Sequence, residues 1–397
     1  MICAGLSQGE TVLEGFMESA DMAATRNCLK ALGASMRLEG DRLTVAGTKA
    51  PVRGVPVMDC GESGSTLRFF VPIAMARAGG GVFRMHGRLS QRPMDVYRDL
   101  FVPQGASWRM GIGADGAAEL HVQGRLRAGD YVLPGNVSSQ FVSGMLFALP
   151  LLEGDSTLTV TPPVESAGYI RMTLEGLRDS GVLAEETAPF TWRIPGGQTY
   201  RPGSGRLKGD YSQAAVLLCA AALGQDIAVT GLTAQTVQGD RAVLQHLRAL
   251  GAQVEENDAF IRVTGGALHG AQLDVRDCPD IAPMLALVCQ LAPGESRLTG
   301  CARLRLKECD RLAATAEMLN LLGGDARVEG DELAVRGVMR LLGGVTVDAH
   351  GDHRMVMLAS IAALMCEEPI RVPGAEALNK SWPGYLTLYQ QLGGRVE

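Results

Sequence analysis

The stretch LRLKECDRL at residues 304–312 is unusually rich in charge. With the residue before it, it carries four basic and two acidic side chains, among them Lys307, Glu308 and Arg311. A run of this kind most often forms a helix face in contact with water. The same residue types could instead bind an anion and transfer a proton. Arginine binds phosphate and carboxylate groups in bidentate fashion, lysine supplies a point charge, and a carboxylate can exchange a proton.

Five apolar stretches of helical length are each preceded by a cluster of small and polar residues. A helix start presents free backbone N–H groups and the positive end of the helix dipole, so it favours anions. A single cluster would indicate only a helix cap. Repetition at equivalent places predicts that the helix starts converge on one anion site. The clusters are GESGSTLR (61–68), NVSSQF (136–141), GDYSQ (209–213), DCPDIAP (277–283) and HGDHRM (350–355).

The elements that position these clusters form an internal repeat. A helix that ends at a glycine recurs six times, at intervals of 70 to 76 residues. A short β-type run precedes each glycine, and a hairpin-like pair follows most of them, as in ARVEGDELAVRG (326–337). One unit therefore reads helix, strand, helix, strand, strand. The marker glycines are Gly33, Gly105, Gly181, Gly251, Gly323 and Gly393.

Chain length and the six units predict two similar α/β domains. A chain of 397 residues exceeds the size of a single core, and 46% apolar residues suffice for two. Units of this size are too large for a thin solenoid, so we group them three and three. We expect the first domain at 1–205 and the second at 206–397. The linker should lie near 196–209, which is rich in glycine and proline.

Composition excludes several classes of protein. A net charge of −6 gives no general attraction to nucleic acid or acidic membranes, and aromatic residues at 5% are too few for stacking platforms. The nine cysteines form no CxxC pair, which indicates reduced thiols in a cytosolic protein. His350, Asp352 and His353 lack further ligands nearby, so no metal site is predicted. No signal peptide or apolar run of about 18–20 residues is present.

Together these motifs resemble the 5-enolpyruvylshikimate-3-phosphate synthase family over essentially all of residues 1–397. KExDR, DHRM and a late lysine form the most specific combination. The motifs are DCGESGSTLRF, LSQRPM, GNVSSQF, ESAGYI, GDYSQAA, DCPDIAP, RLKECDRL, GDHRM and NKSWPGY.

The resemblance implies a reaction, a fold and a location. The enolpyruvyl group of phosphoenolpyruvate is transferred to the 5-hydroxyl of shikimate 3-phosphate in aromatic amino acid biosynthesis, with release of phosphate and with no metal or cofactor. The fold has two domains, each of three βαβαββ units (an inside-out α/β barrel), with the active site in the interdomain cleft. The resemblance further implies a cytoplasmic monomer without nucleic-acid or membrane partners.

The resemblance also implies roles for individual residues. Addition and then elimination involve proton transfers that reverse between the two steps, and two carboxylates in unlike environments suit that work. Glu308 matches the acid/base glutamate and Asp280 the aspartate beside the attacking hydroxyl, while Lys307 joins them as a catalytic residue. Phosphoenolpyruvate contacts match Gly64, Arg92, Gln140, Arg311, Arg354 and Lys380. Shikimate 3-phosphate contacts match Ser138, Ser139, Gln140, Ser166, Tyr169, Asp280 and Lys307.

The spacing of Lys307 and Arg311 adds a structural expectation. Residues four apart lie on one face of a helix, so we expect a single helix to present both cations to the phosphates. Lys307 would then lie toward shikimate 3-phosphate and Arg311 toward phosphoenolpyruvate.

One family segment is missing from the sequence. Members normally open with a strand and then PGSKS…R before the first helix, and its lysine, serine and arginine contact both substrates. Residues 1–397 contain no GSKS. Loss of one charge-assisted phosphate contact costs about 1.5–3 kcal/mol, so we expect reduced activity without the segment. A strand from it would also complete the second domain, so we expect an open sheet edge there.

Two alternatives follow. The chain could be a truncated homologue that binds shikimate 3-phosphate without turnover, since the binding residues of units two and three are present. The sister transferase that acts on UDP-N-acetylglucosamine is less well supported, because the LSQRPM loop lacks its cysteine. In a full-length version, Gly64 would leave room for the inhibitor glyphosate.

Overall fold

A computed structural model of the protein describes residues 1–48 and 50–397. Its internal contacts divide the chain into two compact units, Met1–Leu207 and Lys208–Glu397. Each unit is a mixed α/β domain and is described by itself.

The first domain contains six helices and twelve strands among the described residues. The helices are α1 (Ile2–Leu6), α2 (Ala20–Ala31), α3 (Gly64–Ala78), α4 (Asp95–Phe101), α5 (Ser139–Ala148) and α6 (Ala167–Asp179). The strands are β1 (Gly9–Glu14), β2 (Ser35–Glu39), β3 (Arg42–Gly47), β4 (Val57–Asp59), β5 (Gly80–Met85), β6 (Ser107–Ile112), β7 (Ala118–Gln123), β8 (Asp130–Pro134), β9 (Ser156–Thr161), β10 (Glu185–Ala188), β11 (Thr191–Ile194) and β12 (Ser204–Arg206).

Three four-stranded sheets of the same topology form the first domain. Their orders are β4-β5-β7-β6, β8-β9-β11-β10 and β12-β1-β3-β2. In each sheet the first pair of strands is parallel, and the last two strands form an antiparallel hairpin. The second and third units have the predicted βαβαββ order, because a helix joins their two parallel strands and another precedes the hairpin. In the first unit, β12 from the end of the domain occupies the place of the first strand.

Strand β12 lies within the segment predicted as the linker, 196–209. Ser204–Arg206 pairs in parallel with Val12–Glu14 of β1, and the boundary between the two units follows it, between Leu207 and Lys208. With Gly203 before it and Gly205 within it, a strand of only three residues cannot be distinguished from a loop by composition. The unpaired backbone groups along β1 supply its partners, which sequence reasoning could not see.

The second domain also has six helices, with seven strands. The helices are α7 (Tyr211–Ala222), α8 (Ala242–Ala249), α9 (Ala282–Leu291), α10 (Arg311–Leu321), α11 (His353–Ala363) and α12 (Tyr385–Gln391). The strands are β13 (Ala228–Val229), β14 (Gln253–Glu256), β15 (Ile261–Thr264), β16 (Gln272–Asp274), β17 (Glu295–Thr299), β18 (Asp325–Glu329) and β19 (Glu332–Arg336).

The sheets of the second domain are less complete within the described residues. The fifth unit repeats the four-stranded pattern as β16-β17-β19-β18, but the fourth has only β13-β15-β14. In the sixth unit, Leu341 and Cys366, and likewise Thr346 and Arg371, form isolated parallel bridges.

The predicted glycine ends of the helices are confirmed. All six marker glycines have positive φ between 72° and 101°. In this region an L side chain is strained, so glycine ends a helix at low cost. The hairpin predicted at 326–337 is also present, as β18 and β19 turning at Gly330.

Apolar helices fill both cores and thereby fix the polar clusters that precede them. Helix α5 buries every residue except Gln140, and α9 buries every residue except Leu291. Burial of one large apolar side chain contributes roughly 1.5–3 kcal/mol, so these helices cannot shift easily. Their first turns are therefore rigid platforms. Within the described part of the chain, no helix combines the length and apolarity that crossing a membrane requires.

Candidate active site

The predicted polar clusters lie at helix starts, as expected. Ser63, Ser138, Asp210 and Asp352 cap α3, α5, α7 and α11, and each side chain accepts a hydrogen bond from a backbone N–H two or three residues later. Helix α9 instead follows a 3₁₀ turn, Pro279–Ile281, which carries Asp280. The caps hold the clusters in fixed geometry.

Arg311 is the centre of the site in the second domain. Its side chain is 2% exposed and donates hydrogen bonds to three carboxylates. Nε lies 2.7 Å from Asp352, Nη1 lies 2.7 Å from Asp280, and Nη2 lies 2.7 Å from Glu308. Since Asp352 is completely buried, it depends on this guanidinium for charge compensation.

Two lysines extend the network. Lys307 Nζ lies 2.8 Å from Asp280 Oδ1, and Lys380 Nζ lies 3.0 Å from Glu308 Oε1. Asp280 and Glu308 are each 15–22% exposed, so a substrate can reach both carboxylates. The result is a line of alternating charges, Lys307, Asp280, Arg311, Glu308 and Lys380.

The expectation that one helix carries Lys307 and Arg311 is wrong. Lys307 has extended backbone after the 3₁₀ helix Ala302–Leu306, and α10 begins only at Arg311. Asp310 sets this start, because its carboxylate accepts a hydrogen bond from Ala313 N. The two cations nevertheless converge, since both donate to Asp280 Oδ1.

Burial and neighbouring charges together shift the pKa values of the cluster, and the direction differs from group to group. Burial would raise the pKa of Asp280, but Lys307 and Arg311 outweigh it and hold that pKa well below its usual range. Burial lowers the pKa of Lys307, which has Asp280 as its attractive partner. Burial also lowers the pKa of Arg311, but the nearby carboxylates outweigh burial and raise this pKa well above its usual value; they are Asp352, Glu308 and Asp280. Asp280 and Arg311 therefore remain charged at neutral pH.

Helix α11 supplies two further groups. Arg354 is buried and donates from Nη1 to the backbone oxygen of Ser212, at 2.8 Å, and from Nη2 to Ser212 Oγ, at 2.5 Å. Burial, followed by the charge of Arg354, lowers the pKa of His353 to about 3, so its imidazole is neutral. Sequence reasoning did not assign roles to Asp352, His353 or Ser212. In the sequence they belong to the helix-start clusters and to the motifs GDYSQAA and GDHRM, which do not show what each side chain contacts.

In the first domain, Gly64 and Arg92 are in close contact. A Cβ atom added to Gly64 would lie 2.6 Å from Arg92 Nη1 and 2.8 Å from Cζ. The guanidinium therefore occupies the space that any larger residue at the start of α3 would need. These two predicted residues, which are 28 positions apart, do meet.

Arg68 joins the second and third units of the first domain. It is 3% exposed, donates from Nη1 to Gln140 Oε1 at 2.6 Å and from Nη2 to the carbonyl of Pro93 at 3.0 Å, and lies over the ring of Phe141. It thus holds the side chain of Gln140 and the loop that carries Arg92. Arg68 was not among the predicted site residues, because nothing local in the sequence shows a contact across 72 positions.

The remaining predicted residues lie at the starts of α5 and α6. Ser138 caps α5 and Ser139 is its first residue, and both are buried. Ser166 precedes α6 with a φ of 55°, and Tyr169 is half-buried in the first turn. The loop before Ser166 is tied to the loop before Ser138, since the N–H of residue 165 donates to the carbonyl of residue 135.

These groups can perform two kinds of chemistry. In the second domain, four named cations face three carboxylates, so the cluster retains an excess of positive charge for anionic ligands. Asp280 and Glu308 are held by different terminal nitrogens of Arg311, Nη1 and Nη2, which suits separate proton transfers. In the first domain, Arg92 and the hydroxyls at helix starts offer phosphate ligands.

Comparison with known proteins gives a consistent result. The model of the family "EPSP synthase (3-phosphoshikimate 1-carboxyvinyltransferase)" matches residues 1–388. A 3-phosphoshikimate 1-carboxyvinyltransferase of Clostridium perfringens is 38% identical over 396 residues, which cover 99% of this chain and 92% of that protein. The protein of the same name from Clostridioides difficile is 36% identical over 407 residues, with 100% and 92% covered.

Solved structures agree in fold. The EPSP synthase of Acinetobacter baumannii has a TM-score of 0.81 and 26% identity, and the match covers 100% of this chain and 93% of that one. The enolpyruvyl transferase NikO of Streptomyces tendae has a TM-score of 0.76 at 18% identity, with 100% and 92% covered. The second match indicates the fold alone.

Proposed function

The chain belongs to the EPSP synthase family, and we propose that the charged cluster around Arg311, together with the first-domain helix starts, carries out the family reaction. That reaction transfers the enolpyruvyl group of phosphoenolpyruvate to the 5-hydroxyl of shikimate 3-phosphate and releases phosphate. The observation that carries the proposal is the placement of two carboxylates, Asp280 and Glu308, on one buried guanidinium with a lysine at each end.

We assign the proton transfers to the two carboxylates. In the addition step, the 5-hydroxyl oxygen bonds to C2 of phosphoenolpyruvate as its proton leaves toward Asp280, and C3 receives a proton from Glu308. In the elimination step, C3 returns a proton to Glu308, the bond from C2 to the phosphate oxygen breaks, and the departing phosphate takes the proton held by Asp280, so both carboxylates return to their starting states. Asp280 is suited to the hydroxyl because its depressed pKa keeps it ionised.

Substrate binding divides between the domains. We propose that Ser138, Ser139, Ser166, Tyr169 and Lys307 bind shikimate 3-phosphate, with Asp280 beside its hydroxyl. Phosphoenolpyruvate would be bound by its carboxylate and phosphate, both of which suit bidentate arginine. The proposed ligands for it are Gly64, Arg92, Gln140, Arg311, Arg354 and Lys380.

A coupled assay of phosphate release tests this function directly. We expect release only when phosphoenolpyruvate and shikimate 3-phosphate are both present. Shikimate 3-phosphate that binds in calorimetry without phosphate release would support the non-catalytic alternative instead. UDP-N-acetylglucosamine is the control acceptor, and turnover with it would transfer the assignment to the sister enzyme.

Gly64→Ala should weaken phosphoenolpyruvate binding. The new Cβ would displace the guanidinium of Arg92 from the contact described above. Since a charge-assisted hydrogen bond is worth about 1.5–3 kcal/mol, we expect the KM for phosphoenolpyruvate to rise about 10- to 100-fold. Steady-state kinetics would measure this.

The control for Gly64→Ala is Gly203→Ala, because no described residue apart from its two chain neighbours has an atom within 4 Å of a Cβ at Gly203. The KM for phosphoenolpyruvate should be unchanged in that variant. An unchanged KM in Gly64→Ala would show that Arg92 does not bind this substrate from its present position.

A further inference from the structure

The start of α7 contacts a cation of the site that lies far away in sequence. Ser212 accepts two hydrogen bonds from Arg354, one through its backbone oxygen and one through its hydroxyl, although 142 positions separate them. Both residues are buried, with Ser212 7% and Arg354 8% exposed. The pair is therefore a fixed internal contact. Water can replace the partner in an exposed hydrogen bond, but it has little access to this one.

The next residue of α7, Gln213, contacts the segment that carries Lys380. Gln213 Nε2 donates to the backbone oxygen of Ser381 at 3.0 Å, across 168 positions. Ser381 directly follows Lys380, whose Nζ lies 3.0 Å from Glu308. Two consecutive residues of α7 thus hold the two segments that carry Arg354 and Lys380.

The hydrogen bonds to Ser212 use the two terminal nitrogens of Arg354 and leave its Nε without a partner among the described residues. A guanidinium presents a terminal edge, Nη1 with Nη2, and a side edge that includes Nε. Ser212 occupies both Nη atoms, whereas Nε of Arg354 is buried without a hydrogen-bond partner in the described part of the chain. A buried, unsatisfied N–H is costly, so this edge is suited to an anion.

Helix α7 is rigid enough to hold Arg354 and the segment of Lys380 in place. Asp210 caps it through Ser212 N at 2.8 Å, and Tyr211 N donates to Gln238 Oε1 at 2.9 Å. Most of the helix, including Ala214–Val216, is buried in the core of the second domain. The first turn therefore has little freedom to follow a moving side chain.

We propose that Ser212 and Gln213 are positioning residues that orient Arg354 and Lys380 for phosphoenolpyruvate. The proposal rests on the proposed function for the identity of the anion. Ser212 turns the Nε edge of Arg354 toward the ligand, and Gln213 fixes the backbone at Lys380. Neither residue touches the reacting atoms, so both act through the cations.

Ser212→Ala tests the role of the hydroxyl. We expect the KM for phosphoenolpyruvate to rise about tenfold, because one hydrogen bond to the charged group is lost. The kcat value and the KM for shikimate 3-phosphate should change less than about twofold, since the hydroxyl that is removed contacts the arginine and the backbone cap to Asp210 remains. Ser212→Thr keeps the hydroxyl and should restore the wild-type KM. Gln213→Ala should show the same selectivity.

Ser296→Ala is the matched control. Ser296 is also buried in the same domain and accepts a hydrogen bond from Ala271 N, and among the described residues it makes no hydrogen bond to the four cations of the site. It should match Ser212→Ala in thermal unfolding while leaving both KM values unchanged. Equal kinetics in Ser212→Ala and wild type, or the same loss in Ser296→Ala, would overturn the positioning role.

Crystal structures of the wild type and Ser212→Ala provide a readout that needs no turnover. We expect the guanidinium of Arg354 to rotate or shift in the variant, and an unmoved guanidinium would contradict the proposal. If the wild type releases no phosphate, the proposed function fails while this structural test of Ser212 still stands.

Discussion

Glu308→Gln is expected to lower kcat by about 100- to 10,000-fold, the range that general acid–base catalysis usually contributes. Glutamine keeps the shape of the side chain and can still accept a hydrogen bond from Arg311, but it cannot exchange a proton with C3 of phosphoenolpyruvate. The KM values should therefore change much less than kcat. Phosphate release under saturating substrates measures the effect.

The control for this variant is Glu317→Gln. Glu317 lies on α10, and its side chain is 69% exposed and close to His350. It should retain wild-type turnover and stability. A decrease of less than about tenfold in kcat for Glu308→Gln would assign the C3 proton to another group, because solvent seldom replaces a positioned acid at such small cost.

The sequence predicted the features that depend on local geometry. The glycine that ends each helix needs a left-handed backbone, so its spacing revealed the repeat before any contact was known. The positions of the polar clusters at helix starts were predicted for the same reason, because a cap residue bonds to a backbone N–H only two or three residues later. In the stretch LRLKECDRL, the choice between a solvated face and an anion site followed from its place in that repeat, together with the family resemblance.

Long-range contacts could not be predicted in this way. Asp352 and Arg311 are 41 positions apart, and Ser212 and Arg354 are 142 apart, so only the folded chain shows them as partners. The error at Lys307 has a local cause, since spacing of four suggests a helix face but does not show that Asp310 starts the helix. Strand β12 was missed because its partner β1 lies at the other end of the domain.

Arg311→Ala is expected to destabilise the second domain by about 3–5 kcal/mol, the usual cost of removing one partner from a buried ion pair. The change leaves Asp352, which is completely buried, without its closest cation. Activity should be lost as well, because Arg311 is a proposed phosphoenolpyruvate ligand. Urea unfolding followed by hydrogen exchange in peptides that cover α10 and α11 measures the stability of this domain.

The dependence of this cost on pH identifies its origin. In the wild type, burial would raise the pKa of Asp352, but Arg311 outweighs burial and lowers it. The pair therefore stabilises the fold at pH values above the unfolded pKa, near 3.9. This contribution is lost as the pH falls through the lower pKa of the folded state. Without Arg311, burial should raise the pKa instead. The deficit of the variant should therefore be largest near neutral pH and shrink as Asp352 becomes protonated.

Asp352→Asn supplies the matched partner for a double-mutant cycle. Asparagine can still cap α11 but carries no charge to bury. If the uncompensated carboxylate is the cause, Arg311→Ala with Asp352→Asn should be more stable at neutral pH than Arg311→Ala alone, and its deficit should vary less with pH. A double variant that is no more stable would mean that the packing of Arg311, and not its charge, maintains the cluster. Asp280 and Glu308, the carboxylates proposed to transfer protons, would then keep their geometry through packing alone.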